Sequence, residues 1–125
     1  MLFRSHGQLD HADALCEARR GAIFVMPSVD EAFGVAYVEA MAGGLPAIGA
    51  LGEPGPREIA AAGEGLLQVH AGDPAALAAE IARLAEDPAE LAALGAAARA
   101  TVERSFTWDA CGAATVAAYA EALRG

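Results

Sequence analysis

The chain contains no lysine, so all 8 of its basic residues are arginines. Any site within it that needs a fixed positive charge must therefore use an arginine. Acidic residues outnumber basic ones by 17 to 8, which gives a formal net charge of −9. A charge of that sign repels phosphate backbones and argues against a nucleic-acid partner.

Long apolar runs and cysteines are also scarce. No run approaches the roughly 20 apolar residues of a membrane-spanning helix, and Arg4, His6 and Asp10 make the first residues unlike a secretory signal. The 2 cysteines, Cys16 and Cys111, lie far apart in helix-like segments. We expect buried free thiols in a reducing cytoplasm, and no pattern supports a disulfide.

Metal-binding motifs are missing as well. The 3 histidines, His6, His11 and His70, do not have the spacing of a ligand cluster. His70 is better interpreted as a surface loop residue than as a catalytic base. We therefore expect neither a metal nor a cofactor.

Short apolar segments alternate with helical patterns along the first part of the chain. This alternation predicts a parallel sheet with helices on both faces, in a three-layer, Rossmann-like α/β fold of about four strands. The segment 22–26 has no polar alternation, so we expect it to be buried on both faces. The predicted strands are Leu2–His6, Ala22–Met26, Ala47–Gly49 and Gly65–Val69.

Capping residues mark the predicted helices. Asp10 begins a helix that runs to about Arg20, another starts near Phe33 or Gly34 and ends at Gly43, and a short one spans about 56–62. Asp73-Pro74, Asp87-Pro88 and Thr107-Trp108 begin the last three. We expect a single partial domain over 1–125, with β/α units in 1–72 and helices in 73–125.

The most specific sequence feature lies between the second and third predicted strands. It reads PSVDEAFGVAYVEAMAGGLP from Pro27 to Pro46, with Glu31 in the loop after a strand and Glu39 more than one turn into the following helix. In open α/β sheets, ligands bind outside the carboxyl ends of the strands. The motif is therefore in the position of a ligand site.

This stretch resembles the retaining glycosyltransferases of family 4, the group 1 transferases with the two-domain GT-B architecture. The shared residues are Pro27, Ser28, Glu31, Phe33, Gly34, Glu39, Ala40, Met41, Ala42, Gly44 and Pro46. Segments at 55–59, 65–67 and 106–108 are also similar to that family. The resemblance covers nearly the whole chain but only the last part of the family's usual length.

The resemblance implies a role for each residue of the motif. Glu31 would lie against the donor sugar as the catalytic carboxylate. The backbone N–H groups of Phe33, Gly34 and Val35 would bind the diphosphate of a nucleotide-sugar donor. Glu39 would accept the ribose hydroxyls.

A simpler interpretation exists for each of these residues. Glu31 could be an acid that favours the helix dipole, residues 33–35 an ordinary helix start, and Glu39 a solvated helix position. Arg57 and Glu58 are interpreted first as exposed charges on a short helix.

Relative to the family, the chain lacks two strands that carry a Gly-Arg turn and a lysine, together with the N-terminal acceptor domain. We therefore interpret it as a fragment or truncated descendant of a glycosyltransferase, which takes a nucleotide-diphosphate sugar as donor and needs an acceptor domain or a partner chain. Homo-oligomerisation through exposed apolar surface, and attachment to the inner face of a membrane, are further alternatives to a free cytoplasmic chain. A non-catalytic nucleotide-sugar-binding module and an interaction protein remain the alternative functions.

Overall fold

A computed structural model describes residues 3–124 as a three-stranded sheet surrounded by six helices. The strands are β1 (Phe24–Val25), β2 (Ala47–Leu51) and β3 (Leu66–His70). The helices are α1 (His11–Ala18), α2 (Val35–Ala42), α3 (Pro54–Ala62), α4 (Pro74–Glu86), α5 (Pro88–Ser105) and α6 (Trp108–Ala122).

The strands are parallel, as the sequence predicts, and lie side by side in the order β1-β2-β3. Phe24 pairs with Ala47, and Ile48 pairs with Leu67. The strand predicted at Leu2–His6 does not form over residues 3–6, and Leu2 lies outside the described residues. The described sheet therefore has three strands instead of about four.

The prediction that segment 22–26 is buried on both faces is wrong. The strand itself covers only Phe24 and Val25, and Val25 is 37% exposed. The reason is its place in the sheet, because β1 is an edge strand and pairs only with β2. The central strand β2 is the one that both neighbours and both helical layers cover, and its residues 47–50 are buried.

Side-chain caps confirm four of the predicted helix starts. The side chains of Asp10, Asp73, Asp87 and Thr107 each accept a backbone N–H from the first turn of the helix that follows. The helix predicted from about Pro56 begins two residues earlier, at Pro54. Proline suits this position because its missing N–H would have no partner in the first turn.

The core has one cluster on each face of the sheet, which confirms the three layers. On one face, α2, α3 and the second half of α5 pack against Ala47 and Leu66. On the other face, α4 and the first half of α5 pack against Ile48 and Val69. Alternation along each strand sends neighbouring side chains to opposite faces, so β2 and β3 contribute to both clusters.

Helix α5 lies along the amino-terminal edge of the sheet, where it approaches the backbone closely. Gly95 packs on the carbonyl of Gly44 just before β2, and Gly65, just before β3, packs on Ala98. The Thr101 hydroxyl donates a hydrogen bond of 2.9 Å to the Glu64 carbonyl. This edge is closed by packing, which leaves the carboxyl-terminal edge as the open one.

Helix α6 buries none of its described side chains, and Trp108 is 90% exposed. The expectation of buried cysteines is wrong: Cys111 on α6 and Cys16 on α1 are both exposed free thiols. Their helices present those positions to solvent, and the alanine-rich pattern around Cys111 gives no sign of which face packs. Within residues 3–124, none of the helices is both long and apolar enough to span a membrane.

We predict that Gly95→Ala destabilises the protein although alanine is the better helix former. A Cβ at position 95 would overlap the Gly44 carbonyl, and such overpacking typically costs about 1–3 kcal/mol. Gly112→Ala in α6 is the matched control, since a Cβ there meets open space and should add about 0.5–1 kcal/mol of stability. Urea denaturation measures both changes, and equal stabilisation by the two substitutions would contradict the packing described for α5.

Candidate donor-binding site

The open, carboxyl-terminal edge of the sheet carries the loop that contains Glu31. This loop follows β1 and leads into α2, and it runs beside the turn that follows β2. Asp30 has a φ of +59°, in the left-handed region, and the chain bends directly before Glu31. Aspartate is one of the few non-glycine residues that adopt this conformation readily.

Glu31 is half-buried and is positioned by two neighbours. The Ser28 hydroxyl donates a long hydrogen bond of 3.4 Å to its carboxylate. Its backbone N–H donates a hydrogen bond of 2.9 Å to the carboxylate of Glu53, in the turn after β2. The residue predicted to be catalytic therefore lies in a loop that is tied to the neighbouring strand's turn.

Tyr37, in the first turn of α2, is fully buried beneath this loop. Its hydroxyl donates to the Met26 carbonyl at the end of β1, and its ring meets Phe24 edge-on at 5.8 Å. Burial raises the pKa of Tyr37; the Ser28 hydroxyl partly offsets the rise, and the carboxylates of Glu31 and Glu53 add to it. Tyr37 thus stays neutral and joins the strand to the helix across the base of the loop.

The N-terminus of α2 begins at Val35, with Gly34 at the cap position. Gly34 has a φ of +84°, and a Cβ there would overlap the ring of Tyr37. The first backbone N–H groups of a helix, here those of Val35 and Ala36, have no partner within the helix. Of the side chains described, none caps this helix in their place. These N–H groups form a site of positive potential that suits an anion.

Glu39 lies four residues after Val35, on the same face of α2. Its side chain is 32% exposed, and its carboxylate is 3.3 Å from Nε2 of His11 on α1, an ion pair when that histidine is protonated. The structure thus places Glu31 before the helix and Glu39 more than a turn into it. The two glutamates share none of the contacts described above. Val35, which is 61% exposed, lies on the exposed face of α2 between them.

Phe33 has a packing role in addition to the predicted backbone role. Its ring contacts Phe106 at a centroid distance of 5.9 Å. Its backbone lies against Gly55 in the first turn of α3, where a Cβ would overlap it. The side chain also lines an apolar groove of about 500 Å³ between α2, α3 and α6, which Val35 and Val38 share.

A second cleft, of about 260 Å³, lies at the carboxyl ends of β1 and β3. Pro27, Asp73 and the exposed His70 line it. Within the part of the chain that the structure describes, no group of three or more potential ligand side chains is placed to bind a metal ion. Arg57 and Glu58 are exposed on α3, as interpreted from the sequence.

The roles of Tyr37, Glu53 and Gly55 in this site were not predicted from the sequence. Glu53 lies in the turn after β2, and Gly55 lies in the first turn of α3. Both are at the same sheet edge as Glu31 because parallel strands end on the same side. The several glycines and prolines around Glu53 indicate a constrained turn, so the sequence did contain a signal for this region. Tyr37 gave no such signal, since an aromatic residue in a helix is usually a core residue.

Comparisons with known proteins show the family and the fold. The sequence profile of the family described as glycosyl transferases group 1 matches residues 4–101. The chain belongs to this family. Its fold is that of the Rossmann-like half of the GT-B architecture.

Individual relatives are much longer than this chain. It is 43% identical, over 108 residues, to the D-inositol 3-phosphate glycosyltransferase of Streptomyces bingchenggensis (strain BCW-1), covering 86% of this chain and 23% of that protein. It is 32% identical to the glycogen synthase of Mycobacterium tuberculosis (strain ATCC 25618 / H37Rv), covering 95% of this chain and 28% of that protein. The solved sucrose-phosphate synthase of Thermosynechococcus elongatus superposes with a TM-score of 0.81 at 32% identity, over 94% of this chain and 29% of that one. The chain therefore spans about a quarter of the length of these relatives.

We predict that Tyr37→Phe destabilises the protein and flattens its response to alkaline pH. The substitution leaves the Met26 carbonyl without its donor, which typically costs about 1–3 kcal/mol for a buried group. Because the folded-state pKa lies above the unfolded value of about 10, the stabilisation from neutral Tyr37 is present below that pH and is lost as the pH rises through the folded pKa.

Chemical denaturation between pH 8 and about 11 tests this prediction. Lysine normally titrates in the same range as tyrosine, but this chain contains no lysine whose titration could mask that of Tyr37. Tyr119→Phe is the control, because Tyr119 is exposed on α6. A Tyr37→Phe protein as stable and as pH-sensitive as the parent would contradict the described role.

Proposed function

We propose that this chain is the donor-binding part of a retaining glycosyltransferase that uses a nucleotide-diphosphate sugar. The observation that supports this most is the uncapped N-terminus of α2, which begins four residues after Glu31 at the open edge of the sheet. An anion site beside a half-buried carboxylate fits a ligand with a diphosphate attached to a sugar. No separate cofactor is required for this chemistry.

The diphosphate would lie at the start of α2. The N–H groups of Val35 and Ala36, which have no partner within the helix, suit phosphate oxygens. The backbone of Phe33 would complete this turn, since its carbonyl is fixed against Gly55. Backbone donors of this kind bind charge without bringing a side chain that could collide with the ligand.

The sugar would then lie against Glu31. A carboxylate accepts hydrogen bonds from sugar hydroxyls and stabilises positive charge that develops at the anomeric carbon as the bond to the diphosphate breaks. The Ser28 hydroxyl, which contacts this carboxylate, restricts its rotation. Glu31 is therefore the residue proposed to be catalytic.

The ribose would reach Glu39 along the exposed face of α2. Its carboxylate can accept both vicinal hydroxyls of a ribose, and this would replace the contact with His11. Because His11 is on the exposed side of α1, it can move away without disturbing the core. Val35, between the two glutamates, would face the ligand.

A departing diphosphate requires positively charged groups beside it, and the described site has no arginine paired with its carboxylates. Among residues 3–124, no arginine forms an ion pair with Glu31, Glu39 or Glu53. We propose that a missing segment, in the same polypeptide or in a partner chain, supplies the cations, and that an acceptor domain supplies the acceptor site. Closure of such a domain would also exclude water from the reaction.

The proposed setting is cytoplasmic, where nucleotide sugars are available, with attachment to the inner face of a membrane as a variant of it. Trp108, Val116, Tyr119 and Leu123 expose apolar surface on or just after α6, which suits contact with the acceptor domain or with a second copy. A non-catalytic nucleotide-sugar-binding module is the second candidate, and a protein that keeps the fold only for interaction is the third. Ligand titration separates the third from the others, and a turnover assay separates the first two.

We predict that Glu39→Ala weakens binding of a nucleoside diphosphate sugar by roughly 1.5–3 kcal/mol, the value of a hydrogen bond to a charged group. Isothermal calorimetry with UDP-glucose and GDP-mannose measures the change. Glu86→Ala is the matched control, because it removes an exposed carboxylate from α4. Equal affinities of the parent and Glu39→Ala proteins would exclude Glu39 from the site.

We further predict that the isolated 125-residue chain does not transfer sugar, and that a chimaera in which it replaces the matching segment of the Streptomyces relative does. Glu31→Gln in that chimaera should lower the turnover by at least about 10²–10³-fold, the usual cost of losing one group that stabilises transition-state charge. Donor affinity should change far less. Unchanged turnover in Glu31→Gln would refute the catalytic assignment, and rapid transfer by the isolated chain would refute the need for a second domain.

A further inference from the structure

The turn after β2 contains an acidic side chain in an unusual place. Glu53 occupies the N-cap position of α3, yet its side chain makes no capping hydrogen bond to that helix. Glutamate is not among the residues favoured at this position, where serine, threonine, aspartate and asparagine lead. Its carboxylate instead accepts the backbone N–H of Glu31, 22 residues away in the chain.

The N–H that Glu53 accepts belongs to the peptide bond between Asp30 and Glu31. Asp30 is the only non-glycine residue with a positive φ in the described part of the chain. A residue in the left-handed region turns the peptide that follows it, and a fixed acceptor for the N–H of that peptide stabilises this orientation. Glu53 is such an acceptor, at 2.9 Å.

The support under this contact is rigid. Gly55, two residues after Glu53, packs directly on the backbone of Phe33, so closely that a Cβ would overlap it. The loop is therefore fixed at Phe33 by packing and at Glu31 by the hydrogen bond. The side chain of Glu31 has two further neighbours: its Cγ lies beside Gly34, and its carboxylate accepts a hydrogen bond from Ser28.

We propose that Glu53 is a positioning residue, which fixes the Asp30–Glu31 peptide and thereby the direction of the Glu31 carboxylate. The inference rests on the proposed function for its consequence in donor binding, but not for the contact itself. Glu53 acts through Glu31 and is not expected to touch the donor. Without it, the peptide is free to rotate, and the carboxylate of Glu31 loses its fixed place beside Ser28 and Gly34.

Nuclear magnetic resonance of the ¹⁵N-labelled chain tests the contact directly. The Glu31 amide should exchange slowly with solvent, because its N–H donates to the carboxylate of Glu53. Glu53→Gln keeps an acceptor oxygen but no charge, so most of the protection of the Glu31 amide should remain. Glu53→Ala removes the acceptor and should accelerate exchange of this amide at least about tenfold, the effect of losing one hydrogen bond.

Glu64→Ala is the matched control, since it removes an exposed carboxylate near the other end of α3 and should leave the Glu31 amide unchanged. Thermal unfolding of each variant verifies that the protein is folded. In calorimetry with UDP-glucose or GDP-mannose, Glu53→Ala should bind roughly tenfold more weakly and Glu53→Gln should recover most of that loss.

The two parts of the test separate the two proposals. If the parent binds neither nucleotide sugar, the proposed function fails for this chain, while the amide measurements still decide whether Glu53 orients the peptide. Unchanged exchange of the Glu31 amide in folded Glu53→Ala would overturn the positioning role. Equal loss of amide protection and of donor affinity in the Gln and Ala variants would overturn it too, because a hydrogen-bond acceptor should rescue the function.

Discussion

The buried ring of Tyr37 is the contact on which the open edge of the sheet depends. Its hydroxyl donates a hydrogen bond to the carbonyl at the end of β1, and its ring contacts Phe24. The ring fits against Gly34 and Gly49 only because neither residue has a side chain. One neutral phenol therefore fixes the relative positions of an edge strand, the central strand and the start of α2. The loop that contains Glu31 has a defined path because both of its ends are fixed in this way.

The parts of the fold that local chemistry determines were predictable. Asp73, Asp87 and Thr107 each bond the helix that follows them within three residues, so the sequence alone locates those helix starts. Strands β2 and β3 were found because short apolar runs between glycines and prolines leave little alternative. The predicted burial of 22–26 and of both cysteines failed, because burial depends on which elements pack outside a segment, and neither the edge position of β1 nor the exposure of α6 is encoded in the local pattern.

The candidate site shows the same division between local and tertiary information. The positions of Glu31 in a loop and Glu39 in a helix follow from the residues around them, and the structure has both there. The Glu53 contact joins residues 22 positions apart, so it depends on the register of two parallel strands. The contact between His11 and Glu39 also depends on tertiary structure, because it forms where α1 packs beside α2. A motif can thus identify which residues form a site, but the neighbours that orient them come from the assembled sheet.

Helix α5 gives the protein a mechanical property of its own. Leu91 and Leu94 pack with the cluster on one face of the sheet, whereas Ala98 and Val102 pack with the cluster on the other. A single rigid rod that belongs to both clusters cannot leave one of them intact while the other opens. The two layers should therefore unfold as one cooperative unit in spite of the small sheet, in a single all-or-none transition instead of layer by layer.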